Sequence, residues 1–418
     1  MSSTITVLRS RFVAPIDQPL IEDGAVVISG KTIVRVGRAK DILAPYRDAE
    51  ILDLGSSLLL PGLVNAHAHL ELSNCSAGDD PGGSFTDWIL SVRTRMKLNE
   101  SNPAETIVPA TRAGIAQCLR FGVTCIGDIS NFIGLTRPLL RESPLRAVSY
   151  GEVLGLAKLR SKMEEKLIAA KNPQFASERL TVGVTPHAPY TVDLDGYRAC
   201  LTAAKAGGLP LATHLAETPD EAEFLTRHTG PFREVWDRLE LWQEPVPTYQ
   251  DSPVRFADAI GLLDYPTLLA HVNYCSDAEL DLLANGKASV VYCPRTHRYF
   301  GHQPHRWREM LERGINVAIG TDSCASSPDL NLLDDLRLLH EIAPDFPCES
   351  LWQMATLHGA RALGLDRSIG TIAPGKSADL VAFHALGDQP LREILETKIG
   401  PEHVWIEGKL IAKDQLPG

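Results

Sequence analysis

The chain contains no C-x-x-C pair, no run of basic residues, no uninterrupted apolar stretch of membrane-spanning length and no low-complexity segment. Each absence narrows the field. The eight cysteines (Cys75, Cys118, Cys125, Cys200, Cys275, Cys293, Cys324 and Cys348) are scattered, most of them inside apolar runs, so they read as buried thiols and not as a disulfide framework. A net charge of −11 disfavours nucleic acid as a partner, while a single nucleotide-sized substrate in a locally positive pocket stays open. Without a long apolar run there is no membrane span. Residues 1–7 lack the basic start and apolar core of a secretory signal, which makes the cytoplasm the expected location.

The 418 residues are 44% hydrophobic and 22% charged, as in a soluble globular protein large enough for one big domain and a smaller one. Short strands are expected at 5–8, 24–29, 33–36 and around 51–55, forming a small β unit with a hairpin turn at Gly30-Lys31. From residue 58 onward apolar runs alternate with amphipathic segments. The runs are 58–64, 123–129, 145–154, 180–184, 209–214, 267–272, 288–293 and 316–319. Helices are expected at 103–120, 158–171, 194–206, 277–284 and 304–313. Eight strands alternating with helices favour an α/β (β/α)₈ barrel over an open sheet. Two long loops interrupt it and read as functional walls: 72–99, with Gly78 to Gly83, Phe85 and Trp88, and 218–266, with Trp236 and Trp242. A helix at 348–363 closes at Gly364, and strands return at 377–383 and 404–411. The expected division is a β-sandwich from residues 1–60 and 370–418, split by a barrel at 61–369.

In such a barrel the chemistry sits at the C-terminal strand ends. The first ends in Asn65-Ala66-His67-Ala68-His69, two histidines that project to one side of an extended backbone. With 13 histidines in the chain about 0.4 H-x-H pairs arise by chance, so the pair needs its context. The context is that five further strands end in a histidine or an acid, at His187, His214 with Glu217, His271, His297 and Asp322. His67, His69, His214 and Asp322 suit one divalent ion, zinc or ferrous iron, with a position left for water. Glu217, three residues past His214, is placed as a general base, and His271 as a partner for the water or the developing oxygen.

The motifs PGLVNAHAH, TPHAPY, THLAET, AHVNY, CPRTH, GTDS, ATLHGARALGL and IAPGKSADLVAF resemble the amidohydrolase superfamily, its cytosine deaminase and chlorohydrolase-like (ATZ/TRZ) branch above all. The resemblance spans nearly the whole chain. It implies one metal held by His67, His69, His214 and Asp322, with Glu217, His271 and Asp322 catalytic and His187 touching a substrate base. Binuclear members need a carbamylated lysine on strand four; residues 180–192 hold no lysine, so a single ion is expected. The family departure is Thr296-His297, where relatives acting on adenosine derivatives often carry Ser-Asn.

The expected reaction is hydrolytic deamination of an aminated purine base or nucleoside, of aminodeoxyfutalosine, methylthioadenosine or S-adenosylhomocysteine type. Hydrolysis of an amide, C–N or C–Cl bond on another heterocycle is the alternative. A barrel serving only as a binding module is disfavoured by the full set of metal and catalytic residues. Trp88, Arg295 and His297 are candidate substrate contacts, Arg295 with Arg298 for a carboxylate or phosphate, and Phe85, Trp236 and Trp242 candidate walls. The other zinc deaminase architecture is excluded: His69-Leu70-Glu71 supplies H-x-E, but no P-C-x-x-C follows. The partner is a small molecule, with a homo-oligomer expected from the resemblance.

Overall fold

The apolar run at 58–64 holds two strands, and they belong to different sheets. The computed structural model describes residues 5–78, 81, 83–97 and 102–412. Ser57–Pro61 pairs antiparallel with Leu380–His384, while Leu63–Ala68 opens a parallel sheet. Gly62 is the pivot. A Cβ there would stand 2.1 Å from the Thr124 hydroxyl, so only glycine lets the chain cross between sheets at this point.

One sheet is built from both chain ends: Ile5–Val13, Ile21–Ser29, Thr32–Arg38, Glu50–Asp53 and Ser57–Pro61 from the start, Leu380–His384, Pro401–Ile406 and Lys409–Leu410 from the finish. The strand expected at 404–411 is a hairpin instead, turned at Glu407-Gly408, both with positive φ.

The second sheet has eight parallel strands in sequence order: Leu63–Ala68, Val123–Ser130, Arg146–Val153, Leu180–Pro186, Leu211–Leu215, Thr267–His271, Ser289–Tyr292 and Asn316–Ile319. They are called first to eighth below. The first and eighth meet through an Ala68–Asp322 bridge, so the sheet curls into a (β/α)₈ barrel. Alternate side chains such as Val64, Ala66, Val148, Tyr150, Ala212, Leu268, Ala270, Val291 and Ala318 fill its interior, with Ala360, Leu363 and Ile369 packed against them.

Several helices follow the expected ranges. Pro103–Arg120 starts on proline, and Leu194–Gly207 runs from the Asp193 cap, which accepts from the Gly196 N–H at 2.9 Å, to left-handed Gly208. Others differ. Residues 158–171 begin as a 3₁₀ turn before Met163–Ala170, and 304–313 shortens to Trp307–Glu312. The helix expected at 348–363 is two, Cys348–Met354 and Leu357–Ala362, because the Ala355 carbonyl accepts the Val64 N–H at 2.8 Å from the first strand. Both long loops carry helices: Phe85–Lys97 in one, Pro219–Arg227, Pro231–Arg238 and Pro253–Ala259 in the other. Residues 79, 80, 82, 98 and 99 of the first lie outside the described residues. No helix among the described residues is long and apolar enough to cross a membrane.

Candidate active site

The barrel seam brings the two ends of the barrel segment together. Asn65 Nδ2 donates to Thr321 Oγ1 at 2.8 Å, and the Asp322 N–H donates to the His67 carbonyl at 3.1 Å. Gly320 permits this closeness, since a Cβ would lie 2.7 Å from the His67 oxygen. The seam thereby sets His67 Nε2 and His69 Nε2 at 3.8 and 3.6 Å from Asp322 Oδ1.

His214 enters from the fifth strand. Its Nδ1 donates to the His187 carbonyl at 3.1 Å, which leaves Nε2 free of a proton and turned to the centre. Glu217 is steadied through its backbone. Glu221 accepts the N–H groups of Ala216 and Glu217, both at 3.0 Å, and Asn273 Nδ2 donates to the Glu217 carbonyl at 3.0 Å. Glu217 Oε1 stands 3.3 Å from His271 Nε2.

Strand alternation alone would turn His271 away, because its neighbour Ala270 faces the barrel interior. A φ of 74° at His271, followed by 51° at Val272, reverses that direction. Asp322 has a φ of 56° and Ala216 of 51°. Non-glycine residues in this region cost about 1–3 kcal/mol each and gather where function demands them.

His67, His69, His214, His271, Glu217 and Asp322 form overlapping groups whose ligand atoms lie within 4.8 Å of one another. Both ring nitrogens of His67 are buried without a hydrogen-bond partner, an expensive arrangement unless something else takes the lone pair. Burial and the neighbouring imidazoles hold His67, His69 and His271 well below the usual histidine range, and burial takes His214 down to about 3. Neutral imidazoles with inward nitrogens beside a carboxylate are the donor set a borderline divalent cation requires, so the residues fit the expected ion. Burial, then the nearby Asp322 and Glu221 carboxyls, push Glu217 well above the carboxylate range. Asp322 rises to about 6 through burial, opposed by the hydroxyl of Ser326.

Above this cluster lies a cleft of about 280 Å³, lined by His69, His187, His214, Glu217 and Asp322, with Phe85, Trp88, Tyr190 and Phe132 among its walls. Its size suits one small molecule, near the lower end of the roughly 300–1,000 Å³ of small-ligand sites. His187 faces the cleft with Nδ1 2.8 Å from the Thr191 hydroxyl, and burial holds it down at about 4. Trp88 Nε1 donates to the Ala325 carbonyl at 2.9 Å, setting the indole as a wall.

Two expected contacts lie elsewhere. Arg295 is buried outside the cleft, its Nε on Asp335 at 2.9 Å, one terminal nitrogen on Asp329 at 2.7 Å and the other on the carbonyls of Asp329 and Asn331. It braces the loop after the eighth strand, with four of its five N–H donors engaged there, and does not line the cleft. His297 Nε2 meets the Gln303 carbonyl at 2.8 Å and also stays out of the cleft, while Arg298 is exposed. Of the other aromatics, Trp236 is buried beneath the wall with Nε1 on the Tyr190 carbonyl, and Trp242 packs under Arg233. Glu152 was not anticipated. It follows Val148 and Tyr150 on the same face of the third strand and reaches the cleft, 3.8 Å from His187 Nε2. Its signal was the period-two alternation carried to the strand end.

A (β/α)₈ barrel with histidines and carboxylates converging at its strand ends defines a metal-dependent hydrolase. The Amidohydrolase family model matches residues 58–411, and the chain belongs to that family. It is 30% identical over 381 residues to the 5-methylthioadenosine/S-adenosylhomocysteine deaminase of Moorella thermoacetica, covering 88% of this chain and 83% of that one. Its fold is similar to that of Helicobacter pylori aminofutalosine deaminase in complex with methylthio-coformycin, with a TM-score of 0.84, 28% identity and coverage of 97% of this chain and 100% of the other. An adenosine deaminase from Xanthomonas campestris with bound zinc aligns with a TM-score of 0.80 and 25% identity, over 99% and 94% of the two chains.

Proposed function

We propose that the protein is a zinc-dependent aminohydrolase that removes the amino group of an adenine nucleoside as ammonia. The observation that carries the reading is the adjacency of Glu217 and His271 at 3.3 Å, beside inward-turned imidazoles at the floor of an aromatic-walled cleft. His67, His69, His214 and Asp322 would hold the cation. When bound, such a cation lowers the pKa of a water molecule and polarises the attacked centre.

The chain's own groups do the rest. His187 orients the purine from one side, and Trp88 and Phe132 close over its faces. A Glu217 carboxyl oxygen takes a proton from the attacking water and returns it to the ring nitrogen beside the amino-bearing carbon, for which a buried carboxyl raised from its usual range is suited. His271 Nε2 meets the oxygen as charge develops on it. Asp322 takes the second proton and hands it to the departing amine. Water adds, ammonia leaves, and a ring carbonyl replaces the amino group.

The test is ammonia release from a panel of aminopurine nucleosides by the metal-loaded enzyme and by Glu217→Gln. The variant is expected to keep its metal and lose at least about 100-fold in kcat. Full turnover by the metal-loaded variant would remove Glu217 from this role, and no ammonia from any panel member would reject the deaminase reading.

A further inference from the structure

His271 ends the sixth strand in a turn that the strand by itself does not sustain. Pairing with the seventh strand stops one residue earlier, at Ala270 and Val291. The N–H of Val272 is shared between the Leu215 carbonyl at 3.0 Å and the Ala270 carbonyl, two residues back, at 3.2 Å. With a φ of 74° at His271 between them, this closure has the form of the rare and strained γ-turn. A turn of this kind persists only where its surroundings over-determine it.

The hold comes from His305. Its Nε2 donates to the His271 carbonyl at 2.9 Å, and its ring stacks at 4.0 Å and 16° on Tyr292, the last residue of the seventh strand. One side chain thereby ties the turn to the neighbouring strand at the level where the ladder has stopped. The segment that carries His305 is itself fastened on both sides. His297, on the short helix Pro294–Tyr299, donates from Nε2 to the Gln303 carbonyl at 2.8 Å. The Tyr274 hydroxyl lies 3.0 Å from His302 Nδ1, and Arg306 donates to the Cys275 carbonyl at 3.2 Å. His297, where relatives often carry Asn, thus works in that loop and not in the cleft. His305 does not line the cleft either.

We infer that His305 is a positioning residue for the reaction: by holding the His271 carbonyl it keeps the His271 imidazole 3.3 Å from Glu217. Relaxation of the turn toward ordinary extended backbone would swing that imidazole to the opposite side of the strand, as alternation dictates. The expected effect on turnover rests on the deaminase reading above.

The experiment compares metal-loaded wild type with His305→Gln, His305→Asn and His305→Phe, reading kcat and KM separately, with zinc content measured on the same samples. Gln sets an amide N–H where Nε2 stands. Asn carries the same amide one methylene short, and Phe keeps a ring on Tyr292 but has no donor. H305N and H305F are expected to lose about 10–100-fold in kcat, the effect of a misplacement of about 1 Å near the reacting atoms, with KM and zinc content held within about 2-fold. H305Q should stay within about 3-fold of the wild type, since the hydrogen bond is kept. Wild-type kcat in either donor-free variant, or a loss in H305Q as deep as in H305N, overturns the assignment. Two donor-free variants are used so that one that fails to fold leaves the other to decide. In a His271→Asn background the donor-free change should cost less than about 2-fold more, because no imidazole is left to position; a full further loss overturns the assignment too. Crystal structures of the wild type and H305N separate this role from the deaminase reading. His271 Nε2 is expected to leave hydrogen-bonding reach of Glu217 in H305N whether or not any nucleoside releases ammonia. An unmoved imidazole rejects the positioning role, while movement in a protein that releases no ammonia would keep that role and reject the deaminase reading.

Discussion

The main-chain N–H of Asp322 donates to the carbonyl of His67 at 3.1 Å, so two candidate ligands 255 positions apart are joined backbone to backbone. The side chains of both residues then converge without relying on long flexible arms. A cluster set in place this way is organised before any cation arrives, and the cation's binding energy is available to stabilise the fold.

Removal of metal is therefore expected to lower stability as well as activity. At a free ion concentration about 100 times Kd, the holo form gains about 2.7 kcal/mol over the apo form. Thermal unfolding before and after chelation, with zinc restored in a third sample, checks this. Asp322→Asn should shrink the chelation effect, because the anionic donor is gone. A melting temperature indifferent to chelation in the wild type would mean that no structurally coupled ion sits among these residues.

Arg295 gives a second prediction with the opposite signature. Its guanidinium is buried against Asp335 and Asp329, and the Asp335 side chain is fully buried. Arg295→Met should cost about 3–5 kcal/mol by leaving a buried carboxylate without its cation. Burial already lifts Asp335 to about 6 against the pull of Arg295, so the variant's carboxyl would take up a proton more readily still. Urea unfolding at pH 7 measures the loss, while KM of the folded fraction should stay near the wild-type value. A raised KM with unchanged stability would return Arg295 to the substrate.

Much of this site can be read from the sequence because it depends on local rules. The H-x-H spacing, the apolar run before each polar strand end and the lack of a lysine at 180–192 are all visible in the letters. Features governed by distant contacts are not. Arg295 reads as a free cation because its partners lie 34 and 40 residues on. His271 reaches the cluster through a positive φ that alternation does not foretell. The split at Ala355 follows from a hydrogen bond to a strand nearly 300 positions earlier. The Phe85–Lys97 helix is different, since Phe85, Trp88, Ile89 and Val92 carry a helical period that the glycine-rich approach obscures.

His305 links the strained backbone at His271 to pH. Its Nε2 donates to the His271 carbonyl at 2.9 Å, its ring stacks on Tyr292 at 4.0 Å, and its Nδ1 is buried without a partner. Protonation would add an N–H with no acceptor, and burial accordingly brings His305 down to about 3. An unfolded histidine titrates near 6.5. Well above pH 6.5 both states are neutral and stability is complete; as pH falls through about 6.5, the unfolded chain takes the proton first, and stability drains away at up to about 1.4 kcal/mol per pH unit until the folded value is reached. In His305→Gln the amide still reaches the His271 carbonyl but does not titrate. The stability of the wild type relative to this variant should therefore fall by about 1.6 kcal/mol between pH 6.5 and pH 5, measured by denaturant unfolding of metal-free protein at both pH values. A difference that stays flat across that interval would show that His305 is protonated as easily in the fold as in the open chain.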